Sequence, residues 1–64
     1  MSRSHTVFDK SGKWWAVTSN RKEAIQEASW RAAQAGETMI VKVGHINECG
    51  AEAVAMVTKS GEVF

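Results

Sequence analysis

One segment, residues 21–35 (RKEAIQEASWRAAQA), restricts the possible folds of this chain more than any other. At about 100° per residue, its apolar side chains fall on one helical stripe, and these are Ala24, Ile25, Ala28, Ala32 and Ala35. Asn20 is a suitable N-cap before the segment, and Gly36 is a suitable C-terminal cap after it. We therefore predict one amphipathic helix whose small apolar side chains let it pack closely on another layer.

Strand patterns stand on both sides of this helix. Before it, His5–Phe8 and Trp14–Ser19 are short strand-like runs joined by the turn sequence DKSGK, which indicates a hairpin. After it, Thr38–Val43 alternates in the manner of a strand. The helix is therefore predicted to lie between a hairpin and at least one further strand.

The next segment, residues 51–57 (AEAVAMV), is compatible with either helix or strand. We prefer a strand over Ala53–Thr58, because TKSGE follows and repeats the chemistry of the first turn. Val63 and Phe64 would then form a fifth short pairing.

The predicted fold class is α+β, a two-layer β-β-α-β-β domain with an antiparallel sheet and one helix packed on one face. Residues 1–64 are predicted to form a single domain.

One helix covers one face of a sheet, so the other face is either polar or meets a partner. Alternation along the second strand allows only one of its tryptophans to face the helix. We expect Trp15 and Val17 on the helix side and Trp14 on the open side.

Short motifs in the chain resemble those of a small, uncharacterised bacterial domain family. The family reads W-x-V, then E-A-I-x-x-A on a helix, then a turn with G-x-I. The chain matches these with Trp15-Ala16-Val17, with Glu23-Ala24-Ile25 and Ala28, and with Gly61-Glu62-Val63. It departs from the family by an extra stretch, 45–53. The β-β-α half is more weakly similar to HicB-type antitoxins, but the glycine-cysteine segment typical of them is missing before the helix. The resemblance implies a small ββαββ-type fold and no activity.

Composition limits how the domain can be stabilised and where it can work. A chain of 64 residues buries a modest core, and its single cysteine cannot form an internal disulfide. Self-association, with a homodimer as the simplest form, is therefore expected. The lone thiol and the lack of a signal sequence indicate a cytoplasmic protein. No apolar run approaches the ~20 residues of a membrane span, so no membrane partner is expected.

The charge pattern leaves two classes of partner. The net charge is +1, which predicts no strong electrostatic attraction to nucleic acid. Residues 1–31 nevertheless carry six Lys or Arg against three Asp or Glu. A weak nucleic-acid-binding regulator that uses this basic half is therefore the alternative to a protein-binding module.

Candidate chemistry is sparse in the sequence. His45, Glu48 and Cys49 lie within five residues, and His5 could join them, but the paired Cys/His spacing of structural zinc sites is missing. A nucleophilic pair of Cys49 and His45 would also need an orienting third group and a shaped pocket. We predict a non-enzymatic protein with no catalytic residue, no metal and no cofactor.

Trp30 is the strongest functional candidate, because it lies almost opposite the apolar stripe of the helix. Exposed aromatic side chains are typical of partner contacts. We predict partner binding through two aromatic anchors, Trp30 and Trp14, ringed by Arg31, Lys13 and Gln34. In the alternative interpretation, Val63–Phe64 or the segment 45–50 folds over Trp30 and buries it.

The leading hypothesis is thus a small protein-interaction or regulatory module. It would contact a second copy or a foreign protein, as a phage or mobile-element accessory protein that binds a host factor would do.

Overall fold

The computed structural model describes residues 3–48 and 53–64. Four strands and one helix follow one another in the chain, and these are β1 (His5–Phe8), β2 (Trp14–Thr18), α1 (Arg21–Ala35), β3 (Met39–Val43) and β4 (Ala55–Val57). The predicted α+β class and the β-β-α-β-β order are confirmed. The ambiguous segment is a strand at Ala55–Val57, shorter than the predicted Ala53–Thr58; residues 51 and 52 lie outside the described part.

The four strands form one antiparallel sheet in the order β2-β1-β3-β4. β1 is central, and its Val7 lies opposite Ala16 of β2 and Val41 of β3. Val63 adds an isolated bridge to Val57 beyond β4, which is the predicted fifth pairing. The helix connects an edge strand, β2, to an inner strand, β3.

The helix begins and ends where the cap residues predict. The Oδ1 atom of Asn20 accepts a hydrogen bond from the Glu23 N–H at 2.9 Å. Gly36 takes a left-handed conformation with φ of 71°, and its N–H donates to the Ala32 carbonyl. Both termini are thus closed by local hydrogen bonds.

The core lies between one face of α1 and one face of the sheet. Ala24, Ala28 and Ala32 are fully buried, and Ile25 packs partly against them. They meet the buried side chains of three strands, namely Val7, Met39, Val41, Ala55 and Val57. Ala35, at the end of the stripe, is exposed. The helix therefore contributes mainly methyl groups, and the sheet supplies the larger side chains.

A β-bulge corrects the predicted alternation in β2. Val7 lies opposite Ala16 whereas Phe8 lies opposite Trp14, so Trp15 is an extra residue in the register. Two neighbouring residues then face the same side, because a bulge interrupts the strict alternation of a strand. Trp15 and Ala16 both pack against the core. The prediction for Trp15 is confirmed, but the placement of Val17 beside it was wrong: the bulge moves Val17 to the side of Trp14.

The two KSG turns adopt the same structure. Gly12 and Gly61 both have φ of 92°, a left-handed conformation that glycine adopts without strain. In each turn the first residue accepts a hydrogen bond from the glycine N–H and donates its own N–H to the residue after the glycine. The first residues, Asp9 and Thr58, also accept further hydrogen bonds through their side chains. The shared sequence therefore encodes a shared hairpin turn.

We expect Ala28→Leu to lower the free energy of unfolding by about 1–3 kcal/mol, because a larger side chain overpacks a fully buried site. Ala28 is fully buried between α1 and the sheet. Urea unfolding followed by circular dichroism measures the change.

Ala33→Leu, at an exposed position of the same helix, is the matched control and should change stability by less than about 0.5 kcal/mol. Equal losses of stability in Ala28→Leu and Ala33→Leu would show that the small size of the buried alanines does not determine the distance between α1 and the sheet.

Candidate functional site

Four of the five predicted partner-binding residues gather around Trp15 on the helix side of the sheet. The Lys13 Nζ atom lies 5.7 Å from the centroid of the Trp15 ring. The Arg31 guanidinium lies 5.9 Å from the centroid of Trp15 and 5.7 Å from that of Trp30. Gln34 lines an open groove with Trp15, Trp30 and Arg31. We call Lys13, Trp15, Trp30, Arg31 and Gln34 the helix-side cluster.

Arg31 bridges the two tryptophans of this cluster. Cations at such distances from aromatic rings are attracted by about 0.5–1 kcal/mol each at exposed sites. The Nε atom of Arg31 lies 3.4 Å from a carboxylate oxygen of Glu27, one helical turn away. This Nε is buried, and among the described residues it has no hydrogen-bond acceptor. Arg31 is therefore held by rings and by a weak ion pair, and it retains unused capacity to donate a hydrogen bond.

Asp9 fixes the position of the Trp15 side chain through a hydrogen bond. Its carboxylate accepts hydrogen bonds from the Ser11 hydroxyl at 2.6 Å, the Trp15 indole N–H at 3.0 Å and the backbone N–H groups of Ser11 and Lys13. The Ser11 and Trp15 hydrogen bonds are the main reason why the pKa of Asp9 is lowered from 3.8 to about 2. Asp9 thus remains an anion near neutral pH and acts as a structural acceptor.

The open face of the sheet carries a second aromatic and aliphatic surface. Phe8 lies opposite Trp14 on one side and opposite Ile40 on the other. Ile40 lies opposite Met56, and Met56 exchanges two backbone hydrogen bonds with Phe64. Five side chains therefore form one line across the sheet. We call Trp14, Phe8, Ile40, Met56 and Phe64 the apolar row.

The apolar row is exposed at both ends and at Met56, next to Phe64. Trp14 is 48%, Met56 40% and Phe64 71% exposed. The only charged strand residue that the register places on this face is Lys42, which lies opposite Thr6 and whose Nζ is 5.2 Å from the centroid of Phe8. Water-exposed apolar side chains in a continuous line are typical of a contact surface.

The predicted anchors lie on opposite sides of the molecule, as the sequence indicated. Trp14 belongs to the open face, and Trp30 belongs to the helix-side cluster. Trp30 is 59% exposed. The C-terminal pairing lies beyond β4, and Phe64 aligns with Met56 in the apolar row. Val63–Phe64 therefore does not bury Trp30, and neither does the described part of the segment 45–50.

Sequence reasoning missed most of the apolar row. Its members are separated in the chain, and each is a single apolar residue on the outward side of a short strand. Only the strand order brings Phe8, Ile40 and Met56 together. The alternation in β3 does predict that Ile40 and Lys42 lie on the face opposite Met39 and Val41. It does not show which residues of the neighbouring strands lie beside Ile40, and that information is needed to recognise the row.

The candidate metal and nucleophile residues do not form a described site. Cys49 lies outside the described residues. Within residues 3–48 and 53–64, no group of three or more His, Cys, Asp or Glu side chains is placed to hold a metal ion. His5 is buried, and its Nδ1 lies 2.9 Å from the Arg3 carbonyl oxygen. His5 therefore has a local structural contact.

Comparison of the chain with protein families, curated proteins and solved structures gives no match. The likeness to a bacterial domain family and to HicB-type antitoxins stays a prediction. In the part of the chain that the structure describes, no helix combines the length and the apolar character needed to cross a membrane.

We expect acid to destabilise the protein through Asp9 between pH 3.8 and about 2. In this window the unfolded chain binds a proton at Asp9 that the folded chain does not bind, so lowering the pH favours unfolding. The stability from the Asp9 hydrogen bonds is complete above pH 3.8 and is lost as the pH falls through about 2. Thermal unfolding of wild type and Asp9→Asn across this range measures the effect.

Asp9→Asn should lower the melting temperature near neutral pH, because its amide presents a donor to the Trp15 indole N–H. The difference from wild type should shrink as the pH falls. Glu37→Gln removes an exposed carboxylate and is the control. A difference between wild type and Asp9→Asn that stays constant across the window would contradict this role of Asp9.

Proposed function

We propose that the chain is a non-enzymatic, cytoplasmic protein-interaction module that binds a protein partner through the apolar row. The observation that carries the proposal is the alignment of five apolar side chains across every strand on the face that α1 leaves uncovered. A phage or mobile-element accessory protein that binds a host factor would work in this way.

The shape of this face supports a protein partner. Sheets pack on other layers of structure through lines of side chains that interdigitate at about 10 Å. Trp14 and Phe64 stand at the two ends of the row, and aromatic side chains are frequent energetic anchors of interfaces. A partner that covers the row would remove both rings from water at once.

The charge of this face indicates which side chains a partner needs. Among the residues of β1 to β4, Lys42 is the only charged one that the strand register places there. A single-stranded nucleic acid would need several cations interleaved with the rings. The surface is better suited to a partner with an apolar ridge and an acidic side chain in reach of Lys42. This charge pattern favours a protein over the nucleic-acid alternative.

We expect a photo-crosslinking amino acid at position 56 to capture the partner in cells that produce the chain, and the same group at position 33 not to do so. Met56 is an exposed member of the apolar row between Ile40 and Phe64, and Ala33 is an exposed residue of α1, the helix on the other side of the sheet. The captured protein is then purified, and its affinity is measured by calorimetry for each variant.

Trp14→Ser with Phe64→Ser should raise the dissociation constant at least about tenfold, because both aromatic anchors are lost. Ala33→Ser is the matched control and should leave it unchanged. Capture from position 33 instead of 56, or equal affinity of the double variant and wild type, would refute binding through the open face. If the affinity instead falls steeply as the salt concentration is raised, the result would favour a nucleic acid as the molecule bound by this chain.

A further inference from the structure

We propose that the outer edge of β2 pairs with β2 of a second copy, so that two chains form one continuous eight-stranded sheet. This inference concerns a surface other than the apolar row and does not depend on the proposed partner. It rests on three features of the described residues: an edge strand without a neighbour, an open groove beside it and the order of charges along that groove.

β2 is the edge strand that the fold leaves open. It stands at the end of the order β2-β1-β3-β4, whereas the opposite edge is extended by the bridge of Val63 to Val57. Its sequence, WWAVT, contains aromatic and β-branched residues and no charged residue or proline. Edge strands of monomeric proteins usually carry such blocking residues, because unpaired backbone groups recruit other strands. The bulge at Trp15 protects one end of β2, and the rest remains available.

A groove between β2 and α1 provides the space that a second strand needs. It has a volume of about 720 Å³ and is lined by Val17 and Thr18 of β2, by Ser19 after it and by Glu23, Glu27, Trp30 and Arg31 of the helix. A smaller groove of about 370 Å³ shares Trp30 and Arg31 and continues to Trp15. Together the two grooves touch β2 at Trp15, Val17 and Thr18.

The charges along this groove favour a second copy as the occupant. Lys13 and Arg31 are close to Trp15, near the start of β2. Glu23 lies at the other end, where it accepts a hydrogen bond from the Ser19 hydroxyl at 2.9 Å. Glu27 and Arg31 line the groove as well, whereas Lys13, Arg21 and Lys22 lie beside it.

Antiparallel pairing of β2 with itself reverses the direction of the second strand. A two-fold axis near Ala16, the middle residue of β2, brings the basic end of each copy to the acidic end of the other. Lys13 of one copy then approaches Glu23 of its partner, twice in each dimer. The surface is thus complementary to itself, which is the condition for a symmetric dimer.

Trp30 gains a role in this arrangement. It rises from α1 over the groove beside the middle of β2 and is 59% exposed in the single chain. Pairing at the edge puts both helices on the same side of the joined sheet, so each Trp30 is covered at the contact. The buried Nε of Arg31, which lacks an acceptor among the described residues, also lies at this contact.

The test is the molar mass by light scattering from low micromolar to millimolar concentration. Wild type should reach twice the 7.0 kDa of one chain. Trp30→Ser and Lys13→Glu should each raise the dimer dissociation constant at least about tenfold, through lost apolar contact and through charge repulsion respectively. Lys13→Glu combined with Glu23→Lys should restore the dimer, because the exchanged charges again attract. Circular dichroism confirms that each variant is folded.

Phe64→Ser is the aromatic control, since Phe64 stands at the end of the apolar row farthest from β2, and it should leave the mass unchanged. A monomeric wild type at millimolar concentration would overturn edge pairing, and so would a dimer that neither Trp30→Ser nor Lys13→Glu weakens. A dimer lost in Phe64→Ser alone would assign self-association to the open face and would also overturn edge pairing. The crosslinking result at position 56 is independent, so failure of the dimer leaves the proposed function standing on its own test.

Discussion

The contact of three helical alanines with the sheet is the constraint on which the rest of this structure depends. Ala24, Ala28 and Ala32 bring α1 close to the strands, and the core between the two layers is filled by valines and one methionine. Residues 3–48 and 53–64 contain one helix for this purpose. The helix stabilises one face of the sheet, and on the other face Trp14, Met56 and Phe64 remain exposed.

The bulge in β2 decides how the three tryptophans are distributed. Without an extra residue in the register, Trp15 and Ala16 would point to opposite sides. With it, Trp15 turns toward the helix, where its indole N–H reaches Asp9 at 3.0 Å and its ring lies near Arg31. The same irregularity leaves Trp14 on the open face. One local departure from alternation therefore creates two chemically different surfaces.

The elements of this fold were predictable from local patterns, whereas its surfaces were not. Asn20 and Gly36 bound the helix because capping depends on neighbouring residues only, and the two KSG turns repeat for the same reason. Val17 was misplaced because a bulge depends on the register between two strands. The alignment of Phe8 with Met56 depends on strand order, a long-range property that single-segment periodicity does not contain. The exposure of Trp30 was predictable, since helical geometry fixes its direction.

Edge pairing and face contact would reinforce each other geometrically. Antiparallel pairing of β2 about a two-fold axis normal to the sheet puts both helices on one side and both apolar rows on the other. Each row ends at Trp14, which lies in the strand at the contact, so the rows of two copies would begin close to one another. A partner with two matching ridges could bind both copies at once, and a tethered second contact forms at a high effective concentration. A weak individual contact through residues such as Trp14 and Phe64 would then suffice for stable binding.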